Sequence, residues 1–448
     1  MSLLCYTLLV KKDNNLKTFK IISLGCKVNY YEREYLSSLL KDNGYIEVSD
    51  DEAADISIIN TCAVTEEASR KSRQMIRRTI KGNPSELCVV MGCLSQIDRK
   101  IKDIPGVDIV MGTFSKGRVL ELINQFVETG EKINIVKDDK YAIFKEKYDN
   151  YTVYRFEAHT RAFLKIEDGC NIFCSYCIIP YARGSVRSKP LDTCIEETKE
   201  LVKNGHKEII LSGIHTGAYG QDLGITMYDL LKELDKIDGL ERIRISSIEI
   251  NQITDDILEL VKNSSKLVKH FHIPLQAGSE RILKLMNRHY TKKEFLDRVK
   301  KIREVLPDIS LTTDYIVGFP TETDEDFAES IETLKEIKFD MIHTFPFSKR
   351  EGTPAAKMKD VDPIVKKERS KLVRDLSKIG YKNLVERNIG NTLDVIFEVY
   401  KDGYIYGHSG NYIYIKARGE IGDLNKLLQV KLINDDKDAA IGIIVDKS

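Results

Sequence analysis

The sequence predicts an α/β protein with three consecutive parts: an N-terminal parallel α/β (Rossmann-like) domain, a run of six β/α units and a small all-β module. Short apolar runs alternate with longer amphipathic segments from residue 18 to about 377, and this alternation favours parallel sheets covered by helices. From about residue 378 onward, short strand-like segments are separated by Gly and Asp/Asn turns. A chain of 448 residues is long enough for two or three domains. The predicted boundaries are 18–137, 138–157 (linker), 158–377 and 378–448.

The composition excludes some classes of protein. Lys+Arg and Asp+Glu are equal at 69 each, so any nucleic-acid binding must come from local patches. No apolar run reaches the ~18 residues of a membrane span, and we expect no membrane association. The mildly apolar segment Leu3–Val10 lacks the flanks of a signal peptide. Nine cysteines in such a chain indicate a reducing cytoplasm and metal binding, not disulfides.

The N-terminal part contains four predicted strands and three predicted helices. The strands are Phe19–Gly25, Asp55–Asn60, Leu87–Met91 and Val107–Met111. The helices are Asn29–Leu40, Glu66–Lys81 and Lys116–Thr129.

Three cysteines follow strands of this part. Cys26, Cys62 and Cys93 each come just after the C-terminal end of a strand, and such ends share one edge of a parallel sheet. Three thiolates meeting there could hold an iron–sulfur cluster and leave one iron without a protein ligand. The alternative is that small cysteines fill loops and cores, as Cys88 and Cys194 are expected to do. Cys5 is interpreted as incidental.

The predicted helix Glu66–Lys81 carries four cations at roughly helical spacing: Arg70, Arg73, Arg77 and Lys81. A basic face next to a cluster could contact RNA phosphates. A solvated charged face explains the same pattern, and the helix alone favours that reading.

The central part contains the motif Cys170-x3-Cys174-x2-Cys177, which follows the first of its strands. Soft thiolates at this spacing select an iron–sulfur cluster, zinc or copper. A zinc knuckle or an electron-transfer cluster is the alternative to a cluster with an open iron. The nearest further ligands for a closed site are His159 and Cys194.

Six strand–helix units make up this central part. The strands are Ala162–Ile166, Glu208–Leu211, Arg242–Ile245, His270–Pro274, Leu311–Val317 and Met341–Phe345. The helices are Leu191–Asn204, Met227–Asp235, Asp255–Asn263, Ser279–Met286 with Lys292–Val305, and Asp324–Ile337, and a long helix, Lys359–Asn388, follows. Enzymes built as barrels of β/α units place their chemistry at the C-terminal ends of the strands, and the cysteine motif follows the first strand here.

Turn-forming and polar residues follow the later strands. Each of them is explained as well by an ordinary role in a loop as by ligand binding. Glycines there would let the backbone approach a ligand closely. His215 and His272 are expected to be loop or core residues.

The C-terminal module has one strand with an aromatic and basic face. On Asn411–Arg418, a period of two places Tyr412, Tyr414, Lys416 and Arg418 together. Such a face suits base stacking and phosphate contact. The module from residue 381 carries nine basic and ten acidic residues, so a plain surface barrel is the alternative.

The cysteine motif, with Tyr176 before its third cysteine, resembles that of the radical S-adenosylmethionine (SAM) enzymes. This resemblance implies a partial (β/α)6 barrel and a [4Fe-4S] cluster on Cys170, Cys174 and Cys177 whose open iron binds SAM. It also implies a SAM site in which Tyr176 lies near the adenine, Ser247 and Glu249 near the polar part and Gly213 near the methionine end. The complete implied set is Tyr176, Gly213, Ser247, Glu249, Gln276 and Gly318.

Three further motifs resemble the N-terminal domain of the radical-SAM methylthiotransferases: Leu24–Asn29 (Leu-Gly-Cys-Lys-Val-Asn), Asn60–Thr65 (Asn-Thr-Cys-Ala-Val-Thr) and Gly92-Cys93. This resemblance implies an auxiliary [4Fe-4S] cluster on Cys26, Cys62 and Cys93. It also implies that the C-terminal module is a TRAM domain, which binds RNA.

Within that family, Gly-Cys-Lys-Val-Asn resembles the enzymes that act on N6-threonylcarbamoyladenosine at position 37 of tRNA. The expected partners are the tRNA anticodon loop, an external electron donor and a sulfur source, and the expected state is a monomer. Alternative substrates are N6-isopentenyladenosine-37 of tRNA and a ribosomal-protein aspartate. A non-catalytic iron–sulfur or zinc RNA-binding protein is the alternative from another class.

Overall fold

The structure, a computed structural model, describes residues 17–83, 86–137, 141–156, 160–436 and 438–446. Leu3–Val10, Cys5, His159 and part of the predicted linker lie outside the described residues. The chain divides into two compact units. The first comprises the described part of Met1–Val153 with Asp168–Lys189 and Ser348–Thr353, and the second comprises Tyr154–Glu167, Pro190–Phe347 and Pro354–Ser448. The domain boundaries given above stay a prediction.

The first unit contains a six-stranded parallel sheet, which confirms the predicted N-terminal fold. Its strands are β1 (Thr18–Ser23), β2 (Ile46–Glu47), β3 (Ile56–Thr61), β4 (Leu87–Gly92), β5 (Ile109–Val110) and β6 (Ile133–Asn134). The order across the sheet is β2-β1-β3-β4-β5-β6. Every residue of β3 and β4 is buried, as expected for central strands with both faces covered.

Four helices of the first unit follow strands of this sheet. They are α1 (Lys27–Asp42), α2 (Glu66–Gly82), α3 (Cys93–Ile97) and α4 (Val119–Thr129), with 3-10 turns at Arg99–Asp103, Lys116–Arg118 and Ala142–Lys145. The N-cap of α2 is Thr65, whose side chain accepts a hydrogen bond from the Ala68 N–H, and two glutamates lie in the first turn of the helix. Both features favour a helix N-terminus.

Short elements surround the Cys170 motif. The chain runs through β7 (Ala162–Lys165), β8 (Glu167–Asp168), α5 (Ile179–Arg183) and β9 (Arg187–Ser188). The part from Asp168 to Lys189 belongs to the first unit.

The second unit contains the six predicted β/α units, which are confirmed. After β7, its parallel strands are β10 (Glu208–Ser212), β11 (Arg242–Ile245), β12 (His270–His272), β13 (Ser310–Val317) and β14 (Met341–Pro346). Its helices are α6 (Leu191–Lys203), α7 (Met227–Asp235), α8 (Asp255–Asn263), α9 (Glu280–Leu285), α10 (Lys292–Val305) and α11 (Asp324–Ile337), with 3-10 turns at Thr216–Ala218 and Ile250–Gln252. The sheets β7-β10-β11 and β12-β13-β14 are joined by isolated parallel bridges, one of them between Ser247 and His272.

A long helix, α12 (Pro363–Glu386), leads to the C-terminal module. It begins at Pro363, not at the predicted Lys359, because Asp362 caps it and proline is favoured in the first turn. The module is a closed barrel with strand order β15-β16-β17-β19-β18, which confirms the predicted all-β fold. Its strands are β15 (Thr392–Lys401), β16 (Tyr404–Ser409), β17 (Tyr414–Arg418), β18 (Leu427–Asn434) and β19 (Ala440–Asp446), and 3-10 turns lie at Pro354–Lys357 and Ile421–Asp423.

The predicted strand Asn411–Arg418 is wrong at its start. Strand β17 begins only at Tyr414, because Tyr412 has a positive φ of 73° and its N–H donates to the Ser409 carbonyl in a turn. Tyr412 therefore lies outside the strand.

Among the residues that the structure describes, no helix has the length and apolar character needed to cross a membrane.

Candidate functional site

The three cysteines of the N-terminal sheet lie at one edge of it. Cys26 follows β1 as the N-cap of α1, Cys62 directly follows β3, and Cys93 is the first residue of α3 after β4. The order β1-β3-β4 makes these strands neighbours, so their C-terminal ends are adjacent. Cys62 and Cys93 are buried, whereas Cys26 is exposed. The edge therefore presents three thiols, one of them open to solvent.

Two glycines allow this close arrangement. Gly25 has a φ of 108°, and a Cβ atom there would lie 2.7 Å from Cys62 Sγ. Gly92 has a φ of 102°, and its Cβ would lie 2.5 Å from the Thr61 carbonyl oxygen. Both positions combine a left-handed backbone with no room for a side chain, which only glycine tolerates.

A fully buried arginine contacts this site. Arg183 Nε lies 3.2 Å from Cys93 Sγ. Its Nη1 donates to Glu32 Oε1 at 3.1 Å and to Asp168 Oδ2 at 3.0 Å, and its Nη2 donates to Asn29 Oδ1 at 3.0 Å. The planar fork of the guanidinium is thus held on three sides.

The buried charges of this cluster are paired. The Lys116 ammonium is also fully buried and lies 3.4 Å from Glu32 Oε1. Glu32 thus faces both Arg183 and Lys116. Asp168 faces Arg183 and also Arg187, whose Nη2 lies 3.8 Å away. Such pairing is the condition under which buried charges are tolerated.

Burial raises the pKa of the Cys62 and Cys93 thiols, that of Cys93 to about 12, while the charge of Arg183 acts to lower both. For Arg183 itself, burial acts to lower the pKa, but Asp168, Cys93 and Glu32 outweigh it and raise the pKa. The guanidinium is a cation beside sulfur atoms that become ligands on losing a proton.

The Cys170 loop is held by backbone contacts. The Cys170 N–H donates to the Gly184 carbonyl at 3.0 Å, and the Cys177 N–H donates to the Cys174 carbonyl at 2.9 Å. Phe173 takes a positive φ of 53° within the loop. Cys174 is buried, while Cys170 and Cys177 are half-buried, as is Tyr176. The loop is compact, and two of its thiols are accessible.

Both cysteine sets fit a [4Fe-4S] cluster held by three thiolates. Within the described ranges, no group of three or more His, Cys, Asp or Glu side chains is placed to hold a metal ion. Three thiols at each place are the soft donors that an iron–sulfur cluster takes.

Two of the predicted SAM-site glycines have packing partners of their own. A Cβ on Gly213 would lie 2.6 Å from Glu167 Oε2, which accepts the N–H groups of Ile214 and His215 at 2.8 Å. Gly318 has a φ of 68°, and its Cβ would lie 2.4 Å from Lys366 Cγ. Close packing accounts for both glycines without a ligand.

The other SAM-site candidates of the second unit also lie at strand ends. Ser247, after β11, is exposed, and Glu249 forms an ion pair with the buried side chain of Arg288. Gln276 has a positive φ of 62°, and its N–H donates to the Asp314 carbonyl at 2.9 Å.

The two histidines singled out in the sequence have protein partners. His215 Nε2 lies 2.7 Å from Gln252 Nε2, and His272 Nδ1 lies 2.9 Å from Thr312 Oγ1. His215 is in the loop after β10, as expected, whereas His272 is on β12 and half-buried.

The cations of α2 differ in their surroundings. Arg70 forms an exposed ion pair with Glu67 at 2.7 Å, and Arg73 lies 3.0 Å from Asp98. Arg77 and Lys81 are exposed. The face is therefore partly neutralised at its N-terminal end and open at its C-terminal end.

The predicted aromatic face of the C-terminal module loses one member. The Tyr412 ring stacks on His270 with centroids 5.0 Å apart, and the Arg244 guanidinium lies 5.0 Å from its ring centroid. Tyr412 is therefore not on β17 as expected, but its ring lies 5.1 Å from the His408 ring, which Tyr414 also contacts.

The remaining residues of that face are on β17. Tyr414 lies 4.9 Å from the His408 ring, and Lys416 forms an ion pair with Asp436. The Arg418 guanidinium lies 5.2 Å from the Tyr404 ring centroid.

Comparisons with known proteins identify the class of enzyme to which this chain belongs. Residues 164–334 match the family model described as "Radical SAM superfamily", and residues 18–112 match "Uncharacterized protein family UPF0004". Among solved structures, the radical S-adenosylmethionine methyltransferase TsrM from Kitasatospora setae is similar with a TM-score of 0.58. It is 13% identical, and the match covers 76% of this chain and 77% of that one, so it shows the fold. Fold and cysteine motif together define a radical SAM enzyme.

Curated relatives identify the family. The threonylcarbamoyladenosine tRNA methylthiotransferase MtaB of Bacillus subtilis is 43% identical over 421 residues, 92% of either chain. The protein of the same name from Aquifex aeolicus is 40% identical over 91% of this chain and 98% of that one. The tRNA-2-methylthio-N(6)-dimethylallyladenosine synthase of Clostridium tetani is 40% identical over 84% of each chain. The chain belongs to the radical SAM methylthiotransferase family, and its cofactors are SAM and [4Fe-4S] clusters.

Proposed function

We propose that this protein transfers a methylthio group to C2 of N6-threonylcarbamoyladenosine at position 37 of tRNA. Three relatives with that activity in their name are 36–43% identical over most of their length, and this observation carries the proposal. Relatives named for the dimethylallyl substrate are 40% and 39% identical, so overall identity separates the two substrates narrowly. The motif Gly25-Cys26-Lys27-Val28-Asn29 favours the threonylcarbamoyl substrate. The product is 2-methylthio-N6-threonylcarbamoyladenosine.

The proposal assigns the two cysteine sets to two clusters. Cys26, Cys62 and Cys93 hold the auxiliary cluster, and Cys170, Cys174 and Cys177 hold the cluster that binds SAM. When bound, the two clusters and two SAM molecules would supply the methyl group, the sulfur and the radical that removes hydrogen from an unactivated carbon. The proposal also requires an external electron donor and a sulfur source.

The chain's own residues support this chemistry by holding the cofactors. Gly25 and Gly92 let two strand ends approach closely, and Arg183 orients Cys93. Tyr176, Ser247, Glu249 and Gln276 remain our candidates for contacts to SAM.

Two surfaces are proposed to contact the tRNA. Supporting the first is the exposure of Arg77 and Lys81 on α2, with Arg70 and Arg73 nearby on the same helix. Supporting the second is the aromatic and basic face of β17: Tyr414, Lys416 and Arg418. The proposal includes a cytoplasmic location, where tRNA is modified.

The deciding experiment is mass spectrometry of nucleosides from total tRNA, with and without the gene. Loss of 2-methylthio-N6-threonylcarbamoyladenosine and accumulation of its precursor are expected. An unchanged profile would overturn the substrate assignment and direct the search to isopentenyladenosine, then to a protein side chain. Re-expression of a Cys93→Ala variant is the matched control, because it should not restore the product.

Cofactor analysis separates this enzyme from a non-catalytic iron–sulfur or zinc protein. After anaerobic purification we expect about eight irons and eight sulfides per chain. Variants of Cys170, Cys174 or Cys177 should lose SAM cleavage, whereas variants of Cys26, Cys62 or Cys93 should keep cleavage and lose sulfur insertion. Zinc without sulfide would contradict the radical mechanism.

A further inference from the structure

We propose that Arg183 is a positioning residue that sets the reduction potential of the auxiliary cluster through its hydrogen bond to Cys93. This inference rests on the proposed ligation of that cluster by Cys26, Cys62 and Cys93. Nothing in the cysteine motifs assigns a role to Arg183, which lies six residues after Cys177.

The other contacts of the Arg183 guanidinium leave its Nε–H available to donate to Cys93 Sγ. Nη1 is committed to Glu32 and Asp168 and Nη2 to Asn29, at distances between 3.0 and 3.1 Å. The guanidinium is planar, so these contacts also fix the direction of Nε–H, which lies 3.2 Å from Cys93 Sγ. A full set of partners on the rest of the group keeps this donor in place.

Electrostatics determine whether the contact between Arg183 and Cys93 raises or lowers the reduction potential of the auxiliary cluster. Each electron added to a cluster makes its thiolate ligands more negative, and a donor on a sulfur stabilises that form. Arg183 and Cys93 Sγ lie in a buried site, where water screens the interaction little. Arg183 therefore raises the potential of the auxiliary cluster relative to the same site without the donor.

The same side chain joins both cysteine-bearing segments. Nη1 binds Asp168, two residues before Cys170, while Nε binds Cys93. The segment Asp168–Lys189, which carries the Cys170 motif, thus supplies a contact that completes the auxiliary site.

The test uses the full chain with Cys170, Cys174 and Cys177 replaced by Ala, so that one cluster remains. In this background, Arg183→Lys keeps the charge but cannot reproduce all four contacts. Arg187→Lys is the control for changing a neighbouring buried arginine. Arg187 lies 3.8 Å from Asp168 and donates to the Arg183 carbonyl at 2.7 Å, but its guanidinium lies over the Phe114 ring and not on a sulfur. Each protein is reconstituted anaerobically, its iron and sulfide are measured, and it is titrated with a reductant under EPR detection.

All three proteins should bind about four irons per chain. We expect Arg183→Lys to lower the equilibrium constant for reduction about tenfold, about 59 mV for one electron, and Arg187→Lys to leave it unchanged. Equal potentials for the parent protein and Arg183→Lys would overturn the role of Arg183 but not the ligation. Absence of iron from the parent protein would instead overturn the ligation.

A second measurement covers the case in which Arg183→Lys does not fold. The parent protein is labelled with 15N-arginine, and its reduced cluster is examined by pulsed EPR. A weak 15N coupling from a guanidinium hydrogen-bonded to a ligand sulfur is expected. Its absence would overturn the proposal without any substitution of Arg183.

Discussion

Gly25 controls the distance between two cysteine-bearing strand ends. In Gly25→Ala, the new methyl group would lie 2.7 Å from Cys62 Sγ at a φ of 108°, so the backbone must shift. We expect the auxiliary cluster to be lost, and the iron content to fall from about eight to about four per chain. Iron and sulfide analysis measures this directly.

Gly44→Ala is the control for this experiment. Gly44 has a φ of 87°, but no described atom lies within 4 Å of the position of its Cβ. The alanine substitution therefore imposes similar backbone strain without a contact to a cysteine, and we expect the variant to keep about eight irons per chain. Equal iron in both variants would show that close approach at Gly25 is not required.

Glu208 should make stability depend on pH. Burial would raise its pKa, but the charges of Arg242 and Arg244 outweigh burial and lower it to about 2. The stabilisation is present above the ordinary value of 4.5 and is lost as the pH falls toward 2. In chemical unfolding, Glu208→Gln should cost about 3 kcal/mol at pH 7 and much less at pH 3.

The control for Glu208 is Glu241→Gln. Glu241 pairs with Lys207 at 2.8 Å, and both side chains are about one-third exposed, so little effect is expected at either pH. A constant difference between Glu208→Gln and the parent protein at pH 7 and pH 3 would contradict the electrostatic explanation.

The cysteines could be singled out from the sequence as candidate ligands, but the residues around them could not. Cysteine spacing and strand ends are local signals, whereas Glu32, Lys116 and Asp168 look like ordinary surface charges until the chain is folded. Asn29 had one usable signal, because it lies three residues after Cys26 in the first motif. Arg183 had none, since its partners are 15 to 154 residues away.

Helix α12 depends on a glycine in its interior. Gly380→Ala would normally favour a helix, but here the new Cβ would lie 2.2 Å from the Phe339 carbonyl oxygen. The helix would have to move away from the backbone beneath it, and we expect a loss of about 1–3 kcal/mol in the free energy of unfolding.

Gly82→Ala, in the last residue of α2, provides the comparison. No described atom lies within 4 Å of its Cβ position, so this change should be neutral or slightly stabilising. Denaturant midpoints of the two variants test the difference. A stabilised Gly380→Ala protein would show that the helix can shift at no cost.

Most helices and long strands followed from their sequence patterns, whereas β2, β6, β8 and β9 did not. Each of these four strands has only two residues, which is too short for a period of two to show. The start of β17 was predicted too early because alternation continues through Tyr412, although a turn at Tyr412 precedes the strand.

At the scale of the whole molecule, equal numbers of acidic and basic residues remove any general attraction for RNA. Binding of tRNA should then depend on a few local contacts. For Arg77→Ala combined with Lys81→Ala, we expect the slope of log affinity against log salt to fall by about 1.4–1.8. Fluorescence anisotropy with labelled tRNA at several salt concentrations measures the slope.

Arg70→Ala is the control for this prediction. Its guanidinium already pairs with Glu67, so it should release fewer counterions on binding and change the slope less. A slope that none of these substitutions changes would exclude α2 from the RNA-binding surface.

The division of the first unit into separate stretches of chain has a consequence for protein synthesis. The ribosome synthesises Met1–Val153 before Arg183 has been made, so Glu32 at first has Lys116 but not Arg183 as a possible partner. At about 5–20 residues per second, this interval lasts about 2–6 s. During that time the nascent chain holds Cys26, Cys62 and Cys93 without their arginine, so a cluster assembled in this interval would form before Arg183 contacts Cys93.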